Sequence, residues 1–254
     1  MKNLPWKKVA IGVFAVALVV AGVLYFSEKS TARSQVFIDP AFGEYISSYS
    51  AGVLTSGSTV RVMLAADMDS ATIGTTPNLF GFSPSVKGTT TVVDARTIEF
   101  KPDNRLPSGQ VYEVNFKLGS VLMVTAELSD FRFSFQVMPQ NFELVIDNMT
   151  TYDKKDLKRQ KILGVVRTAD FAVDRDVEMI LAAQQGGNRL GITWVHTADG
   201  IEHAFTVEEV VRGEKESVVE LTASGKPIGI DREDTREVEV PSLGDFKLMD
   251  AKVV

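Results

Sequence analysis

The sequence predicts an all-β chain, in which two antiparallel β-sandwiches follow one N-terminal transmembrane helix. Three observations lead to this prediction. A long apolar run without charges stands near the N-terminus, short segments of alternating apolar and polar residues fill the remainder, and helical periodicity is almost absent there. With 254 residues, the chain has room for two cores of about 100 residues each.

Composition removes several classes of function. The chain has no cysteine and two histidines, which excludes disulfides, Cys-ligated zinc and thioester bonds within it and leaves few metal or acid–base options. We expect no cofactor, and we expect both sandwiches to fold without metal. Apart from Lys2, Lys7 and Lys8, the chain has 24 basic and 33 acidic residues, a formal charge of −9. Such an acidic chain argues against binding nucleic acid.

Residues 1–34 are predicted to form a cytoplasmic tip, a membrane anchor and a short linker. The uncharged run Val9–Phe26 nearly matches a hydrocarbon core of about 30 Å as a helix. Trp6 and Tyr25 stand near its ends, and lysines precede it, so everything after Phe26 is expected to be exported. A cleaved signal peptide is the alternative, since Ser30–Ala32 fits a small-x-small cleavage site.

Residues 35–139 are predicted to form the first sandwich. In "YEVNFKL" the apolar residues alternate strictly with polar ones, and the aromatic residues of "FRFSFQV" do the same. Period-two alternation is typical of half-buried antiparallel strands. The predicted strands are 58–64, 89–95, 96–102, 112–118 and 131–137.

The segment "LPSGQVY" joins two of these strands and resembles the tyrosine corner of Ig-like sandwiches. In such a corner, a tyrosine near the start of strand F bonds back to the backbone just upstream. Leu106 is predicted to plug the core, Gly109 to permit the tight turn and Tyr112 to close the corner. Tyr112 is therefore interpreted as structural, and the domain as Ig-like.

Residues 140–242 are predicted to form a second sandwich after a linker, "MPQN". The turns "QQGGNR" and "TADGIE" carry glycines suited to hairpins. Residues 243–254 are interpreted as the start of a truncated third domain. The predicted strands are 142–148, 160–168, 177–184, 189–196, 202–211, 217–223 and 236–242.

The two histidines are the first candidates for a site. His196 and His203 flank the "TADG" turn, so a hairpin would bring them to one face, and two imidazoles can begin a zinc site. The sequence shows no third ligand. Ordinary packing is therefore the favoured interpretation, and no metal site is predicted.

The acidic clusters are interpreted as solvated loops. Asp147, Asp153 and Asp156 lack the spacing of a calcium loop. Asp67 and Asp69 form a close carboxylate pair, but acid–base chemistry also needs a pocket that splits their pKa values. No nucleophile elbow or phosphate-binding loop is present. The sequence therefore predicts no enzyme and no catalytic residue.

Several stretches together resemble one known arrangement. They are "EYISSYSAGVLTSGSTVRVML", "FGFSPSVKGTT", "DARTIEFKPDNRLPSGQVY" and "VEVPSLGDFKLMDAKVV". Together with the anchor, they resemble the N-terminal macroglobulin-like domains of the bacterial alpha-2-macroglobulin family, particularly the long forms of Bacteroidetes-type bacteria. The resemblance covers nearly all of the exported part.

The resemblance implies a membrane-anchored scaffold of an envelope protease inhibitor. Family members trap target proteases after cleavage of a bait segment, and many then link to the protease through a thioester; those parts would lie in downstream domains. The implied partners are the membrane through the N-terminal helix, target proteases and neighbouring macroglobulin-like domains. The implied location is the inner membrane, single-pass, with the rest in the periplasm. An adhesin stalk and the spacer of an envelope enzyme remain alternatives.

Overall fold

The computed structural model describes residues 37–68 and 78–244. The chain divides into two units, Met1–Ile38 and Asp39–Val254, and every strand described here belongs to the second. Within the described residues, no helix is long and apolar enough to cross a membrane. The predicted anchor Val9–Phe26 and the start of a third domain, apart from its first two residues, lie outside the described residues.

The first domain consists of two four-stranded sheets. One has the order β1-β3-β6-β5 and the other the order β2-β8-β7-β4, and only β2 and β8 pair in parallel within them. The strands are β1 Ile46–Tyr49, β2 Gly52–Leu54, β3 Val60–Leu64, β4 Phe80–Ser83, β5 Gly88–Val92, β6 Thr97–Pro102, β7 Val111–Phe116 and β8 Phe131–Val137.

The alternation read from the sequence decides which side chains enter the first core. On β8, Phe131, Phe133, Phe135 and Val137 are buried, while Arg132 is exposed. Aromatic rings from the two sheets meet between them: the Phe80 and Phe100 centroids lie 5.9 Å apart, and those of Tyr49 and Phe133 5.2 Å apart. The two sheets therefore form a sandwich around a core rich in phenylalanine.

The second domain also has two four-stranded sheets, with the orders β13-β14-β10-β9 and β12-β11-β15-β16, and all of its pairs are antiparallel. One five-residue helix, α1 (Asp174–Glu178), lies between β10 and β11. The strands are β9 Phe142–Asp153, β10 Asp156–Thr168, β11 Leu181–Gln185, β12 Asn188–Arg189, β13 Ile192–His196, β14 Glu202–Val211, β15 Ser217–Ser224 and β16 Glu233–Val240.

Both domains have the connectivity of an immunoglobulin sandwich. If β2 is omitted and the other seven strands of the first domain are lettered A to G in chain order, its two sheets have the orders ABED and CFG. This is the strand arrangement of Ig constant domains. The second domain gives ABED and C′CFG in the same way. The all-β, Ig-like prediction is therefore confirmed for the described residues, on strand order alone.

Some predicted elements differ from the structure. The predicted strand 177–184 begins inside α1, because a short apolar run does not distinguish a buried strand from a buried helical turn. The predicted strand 189–196 is divided between β12 and β13, which belong to different sheets. Strands β1, β2 and β4 were not predicted, since each has four residues or fewer and little alternation.

The acidic stretch predicted as a loop is mostly strand. Strand β9 continues to Asp153 and β10 starts at Asp156, so Lys154 and Lys155 alone form the connection. Asp153 and Asp156 each accept a hydrogen bond from the backbone N–H two residues later, at 3.0 Å. Their carboxylates therefore stabilise the hairpin turn.

Candidate functional site: the domain junction and a histidine cluster

The three predicted corner residues lie in the connection between β6 and β7. Leu106 is buried, and its backbone N–H donates to the Ser56 carbonyl oxygen at 2.8 Å. Gly109 has a φ of +72°, a conformation that costs other residues more than glycine. Tyr112 is buried near the start of β7 and its ring stacks on Phe135, with centroids 5.4 Å apart. The structure therefore places Tyr112 on strand F, in the position of a corner tyrosine.

The Tyr112 side chain is held by packing. Burial raises the pKa of its hydroxyl, and within residues 37–68 and 78–244 we find no hydrogen bond that this hydroxyl makes. The bond that defines a tyrosine corner is thus not among the described contacts. The corner role of Leu106, Gly109 and Tyr112 stays a prediction.

The same connection forms the surface that receives the interdomain linker, residues 138–141. The Ser108 hydroxyl accepts a hydrogen bond of 2.6 Å from the backbone N–H of Gln140. The Gln136 side chain donates to the Gly109 carbonyl oxygen at 3.2 Å. The turn that begins the predicted corner thus also positions the linker to the second domain.

The Gln140 side chain fastens the linker to the second domain. Its Nε2 donates to the carbonyl oxygens of Asp170 and Phe171, at 3.0 and 3.1 Å. Its Oε1 accepts from the backbone N–H groups of Asp170 and Asn141, at 3.0 and 3.2 Å. One amide therefore fixes the start of the β10–α1 connection against the linker.

The Asp170 carboxylate joins the two domains directly. Its Oδ2 accepts a hydrogen bond of 2.6 Å from the backbone N–H of Ser56, in the first domain. Its Oδ1 accepts from the backbone N–H of Phe171 at 2.8 Å. Asp170 is only 5% exposed, and a buried acceptor that loses its donors is costly. The first of these bonds holds the loop that carries Ser56 against the β10–α1 connection.

Arg105 and Phe171 complete the contact. The guanidinium carbon of Arg105 lies 3.6 Å from the centroid of the Phe171 ring, which is a close cation–π contact across the two domains. We call the set of Ser56, Arg105, Ser108, Gln140, Asp170 and Phe171 the domain junction. It combines a buried charged hydrogen bond, an amide clamp and an aromatic contact.

A second feature of the second domain is a pair of facing histidines. His196 ends β13 and His203 lies opposite it on β14, in direct register. Their Nδ1 atoms are 2.8 Å apart. The hairpin predicted from the sequence therefore brings the two imidazoles together.

The structure also supplies carboxylates that the sequence did not reveal. Asp174 and Glu178, both on α1, face His196: the Asp174 Oδ1 lies 3.7 Å from its Nδ1, and the Glu178 Oε1 lies 3.2 Å from its Nε2. Asp174, His196 and His203 each offer one atom within 4.8 Å of the other two. No third donor was evident in the sequence, and the structure places one, Asp174, beside the two histidines. We call Asp174, Glu178, His196 and His203 the histidine cluster.

The two imidazoles differ in environment. His203 is fully buried, and its Nε2 has no hydrogen-bond partner among the described residues. Burial lowers the pKa of His203, and the neighbouring His196 lowers it further, so both effects favour the neutral imidazole. The side chain of His196 is 15% exposed, and its ring stacks on Trp194 with centroids 6.0 Å apart.

The other acidic candidates form ordinary contacts. Asp67 pairs with Arg96 at the surface, and Asp69 lies outside the described residues. Asp147 lies on the polar, exposed part of β9. Of these carboxylates, Asp67 is therefore committed to an ion pair and Asp147 lies at the surface.

The described part of the chain is a tandem of Ig-like β-sandwich domains. No protein-family model matches the sequence, and a search of curated proteins finds no match. Solved structures align at low similarity. L,D-transpeptidase 3 from Mycobacterium tuberculosis aligns at 11% identity over 67% of this chain and 78% of its own, with a TM-score of 0.27.

Two other solved structures are composed of Ig domains. Chimeric titin Z1Z2 aligns at 10% identity over 78% of this chain and 97% of its own, with a TM-score of 0.34. The ectodomain of mouse nectin-like molecule 4 aligns at 11% identity over 76% of this chain and 66% of its own, with a TM-score of 0.31. The fold class rests on the strand order of the two domains and not on these alignments.

Proposed function

We propose that this chain is the membrane-anchored N-terminal scaffold of a bacterial protease inhibitor of the alpha-2-macroglobulin type. In this function the apolar run Val9–Phe26 holds the chain in the inner membrane, and the Ig-like tandem extends into the periplasm. Bait and trap elements belong to downstream domains. The partners are target proteases and neighbouring macroglobulin-like domains.

The observation that carries the scaffold role is the buried hydrogen bond between Asp170 and Ser56. Tandem domains joined by a free linker move independently. Here the four-residue linker is hydrogen-bonded along its length, and Gln140 and Asp170 are both committed to the junction. A fixed tandem suits an arm that positions domains at a set distance from a membrane.

The experiment is to find the native polypeptide in fractionated membranes and measure its size. We expect an inner-membrane protein many times larger than the 27.8 kDa of this chain. An added protease should cleave it once in a flexible downstream segment and then stay associated with it. The control is a variant that lacks Val9–Phe26 but keeps Lys2, Lys7 and Lys8. This variant should leave the membrane fraction.

Three results would contradict the proposal. A native product that ends at Val254 excludes the trap mechanism for this chain and leaves a membrane-tethered binding module. A long product composed of further Ig-like domains, without a bait segment or retained protease, identifies an adhesin stalk. A hydrolase domain downstream identifies the spacer of an envelope enzyme.

A further inference from the structure

Nitrogen and oxygen donors from three elements converge at one end of the second domain. His196 comes from β13, His203 from β14 and Asp174 from α1, and one donor atom of each lies within 4.8 Å of the others. We propose that Asp174, His196 and His203 bind a divalent transition metal ion, and that zinc is the ion this ligand set favours. Imidazole and carboxylate ligands are both typical of zinc sites. This site is independent of the proposed scaffold function.

The spacing of the donors suits a tetrahedral ion. Zinc bonds of about 2.0–2.1 Å place neighbouring ligand atoms about 3.3 Å apart. The Nδ1 atoms of His196 and His203 are 2.8 Å apart, and the Asp174 Oδ1 is 3.7 Å from the Nδ1 of His196. These separations lie on either side of the required value. The third separation, between Asp174 and His203, is within 4.8 Å, so the Asp174 carboxylate has to turn toward His203 to complete the site. Its side chain is 59% exposed, which leaves it room to rotate.

Glu178 prepares His196 to act as a ligand. A carboxylate only accepts hydrogen bonds, so the contact of 3.2 Å between its Oε1 and the Nε2 of His196 places the proton on Nε2. With its proton on Nε2, the ring presents the Nδ1 lone pair to the cluster. This is the carboxylate–histidine–metal arrangement in which an outer carboxylate sets the tautomer and orientation of the ligating ring.

Without an ion, the cluster has more acceptors than donors. The Nδ1 of His196 and the carboxylate of Asp174 both present lone pairs, and His203 has one proton to donate between them. The Nε2 of His203 is buried and has no partner among the described residues, whichever nitrogen carries the proton, so the facing Nδ1 atoms and the Asp174 carboxylate are the groups that favour an ion. A cation between the three donors neutralises the facing lone pairs.

The ion would connect the β13–β14 hairpin to the segment that carries the domain junction. The backbone N–H of Ala172 donates to the Gly200 carbonyl oxygen at 2.9 Å, so this segment already lies against the hairpin turn. Asp174 follows two residues later. Because three protein ligands leave a fourth position open to water on the exposed side of Asp174, the site can exchange its ion with solvent. Zinc adds to the stability of a domain that folds around its own apolar core.

The test is a calorimetric titration of the full chain with zinc after removal of metal by a chelator. We expect saturable binding of one ion per chain, and cobalt bound at the same site should show the visible absorption of a tetrahedral complex. Asp174→Asn and His196→Gln should each weaken zinc binding at least tenfold. Glu178→Gln should weaken it by about 10–100-fold, as expected for an outer carboxylate.

The matched control is Asp176→Asn, which removes a carboxylate from the same helix but outside the cluster. It should bind zinc as the unsubstituted chain does. Asp174 is exposed, so its variant will fold, and circular dichroism checks this. No saturable binding by the unsubstituted chain overturns the proposal. Equal affinity in the Asp174→Asn and unsubstituted chains also overturns it, because the ion would then lie elsewhere.

Discussion

The carboxylate of Asp170, in the second domain, accepts a hydrogen bond of 2.6 Å from the backbone N–H of Ser56, in the first. Both residues are buried. Neither domain can satisfy these two groups in the same way alone, since the donor and the acceptor come from different sandwiches. The bond therefore joins the two sandwiches directly.

Asp170→Asn is expected to lower the free energy of unfolding by about 1.5–3 kcal/mol, the range for hydrogen bonds to charged groups. The amide has one acceptor oxygen, whereas the carboxylate uses both of its oxygens, one for Ser56 and one for Phe171. Urea denaturation measures the change. The control is Asp103→Asn, an exposed acid near the corner, which should change stability by less than about 0.5 kcal/mol. A similar small change in both variants would contradict the role given to Asp170.

The contact between Arg105 and Phe171 should appear as a coupling energy. In a double-mutant cycle with Arg105→Ala and Phe171→Ala, we expect about 0.5–1 kcal/mol of coupling in the free energy of unfolding. The guanidinium lies 3.6 Å from the ring centroid, but Arg105 is exposed, which keeps the value in the lower part of the range for such contacts. If the two changes are additive, the contact does not stabilise the junction.

Tyr112→Phe distinguishes packing from a hydroxyl bond at the predicted corner. Because the described contacts of Tyr112 are packing contacts, removal of the hydroxyl should change the free energy of unfolding by less than about 0.5 kcal/mol. Tyr112→Leu should cost more, since it also removes a stacked aromatic pair worth about 0.5–1.5 kcal/mol. Denaturation of both variants measures this. A loss above about 1 kcal/mol in the Phe variant would show that the hydroxyl forms the corner bond.

The turn before β6 should give a pH-dependent contribution to stability. The backbone N–H of Arg96 lowers the pKa of Asp94 below its ordinary value of 3.8, and the hydrogen bond to Thr97 lowers it further. A lowered pKa means that the ionised carboxylate stabilises the folded state above the unfolded pKa, and that this stability is lost as the pH falls through the folded pKa. We therefore expect the unsubstituted chain to be more stable than Asp94→Asn at neutral pH.

Thermal unfolding of both chains from neutral pH to about pH 3 tests the Asp94 prediction. The asparagine keeps the acceptor oxygen that binds both N–H groups but does not titrate, so the difference between the midpoints should disappear toward low pH. A difference that stays constant, or that grows as the pH falls, would refute it.

The sequence by itself determined the all-β class and the inward side of the main strands. Period-two alternation is a local property, and burial in the structure follows it on β7 and β8, where Val114, Phe116 and Phe133 are fully buried or nearly so. The "TADG" hairpin was visible for the same reason, because a turn between two strands sets their register. The pairing of His196 with His203 could therefore be predicted from the sequence.

Only the tertiary structure decided which distant groups meet. Asp174 reaches the histidines because the β10–α1 connection packs on the hairpin turn, and Asp170 reaches Ser56 because the linker places the second domain against the β2–β3 loop. Local periodicity does not predict such contacts, because they depend on the paths of the loops. Long-range packing and hydrogen bonds such as those of Gln140 fix these paths. The helix α1 was missed on the same ground, because its one buried residue, Val177, reads equally well as part of a strand.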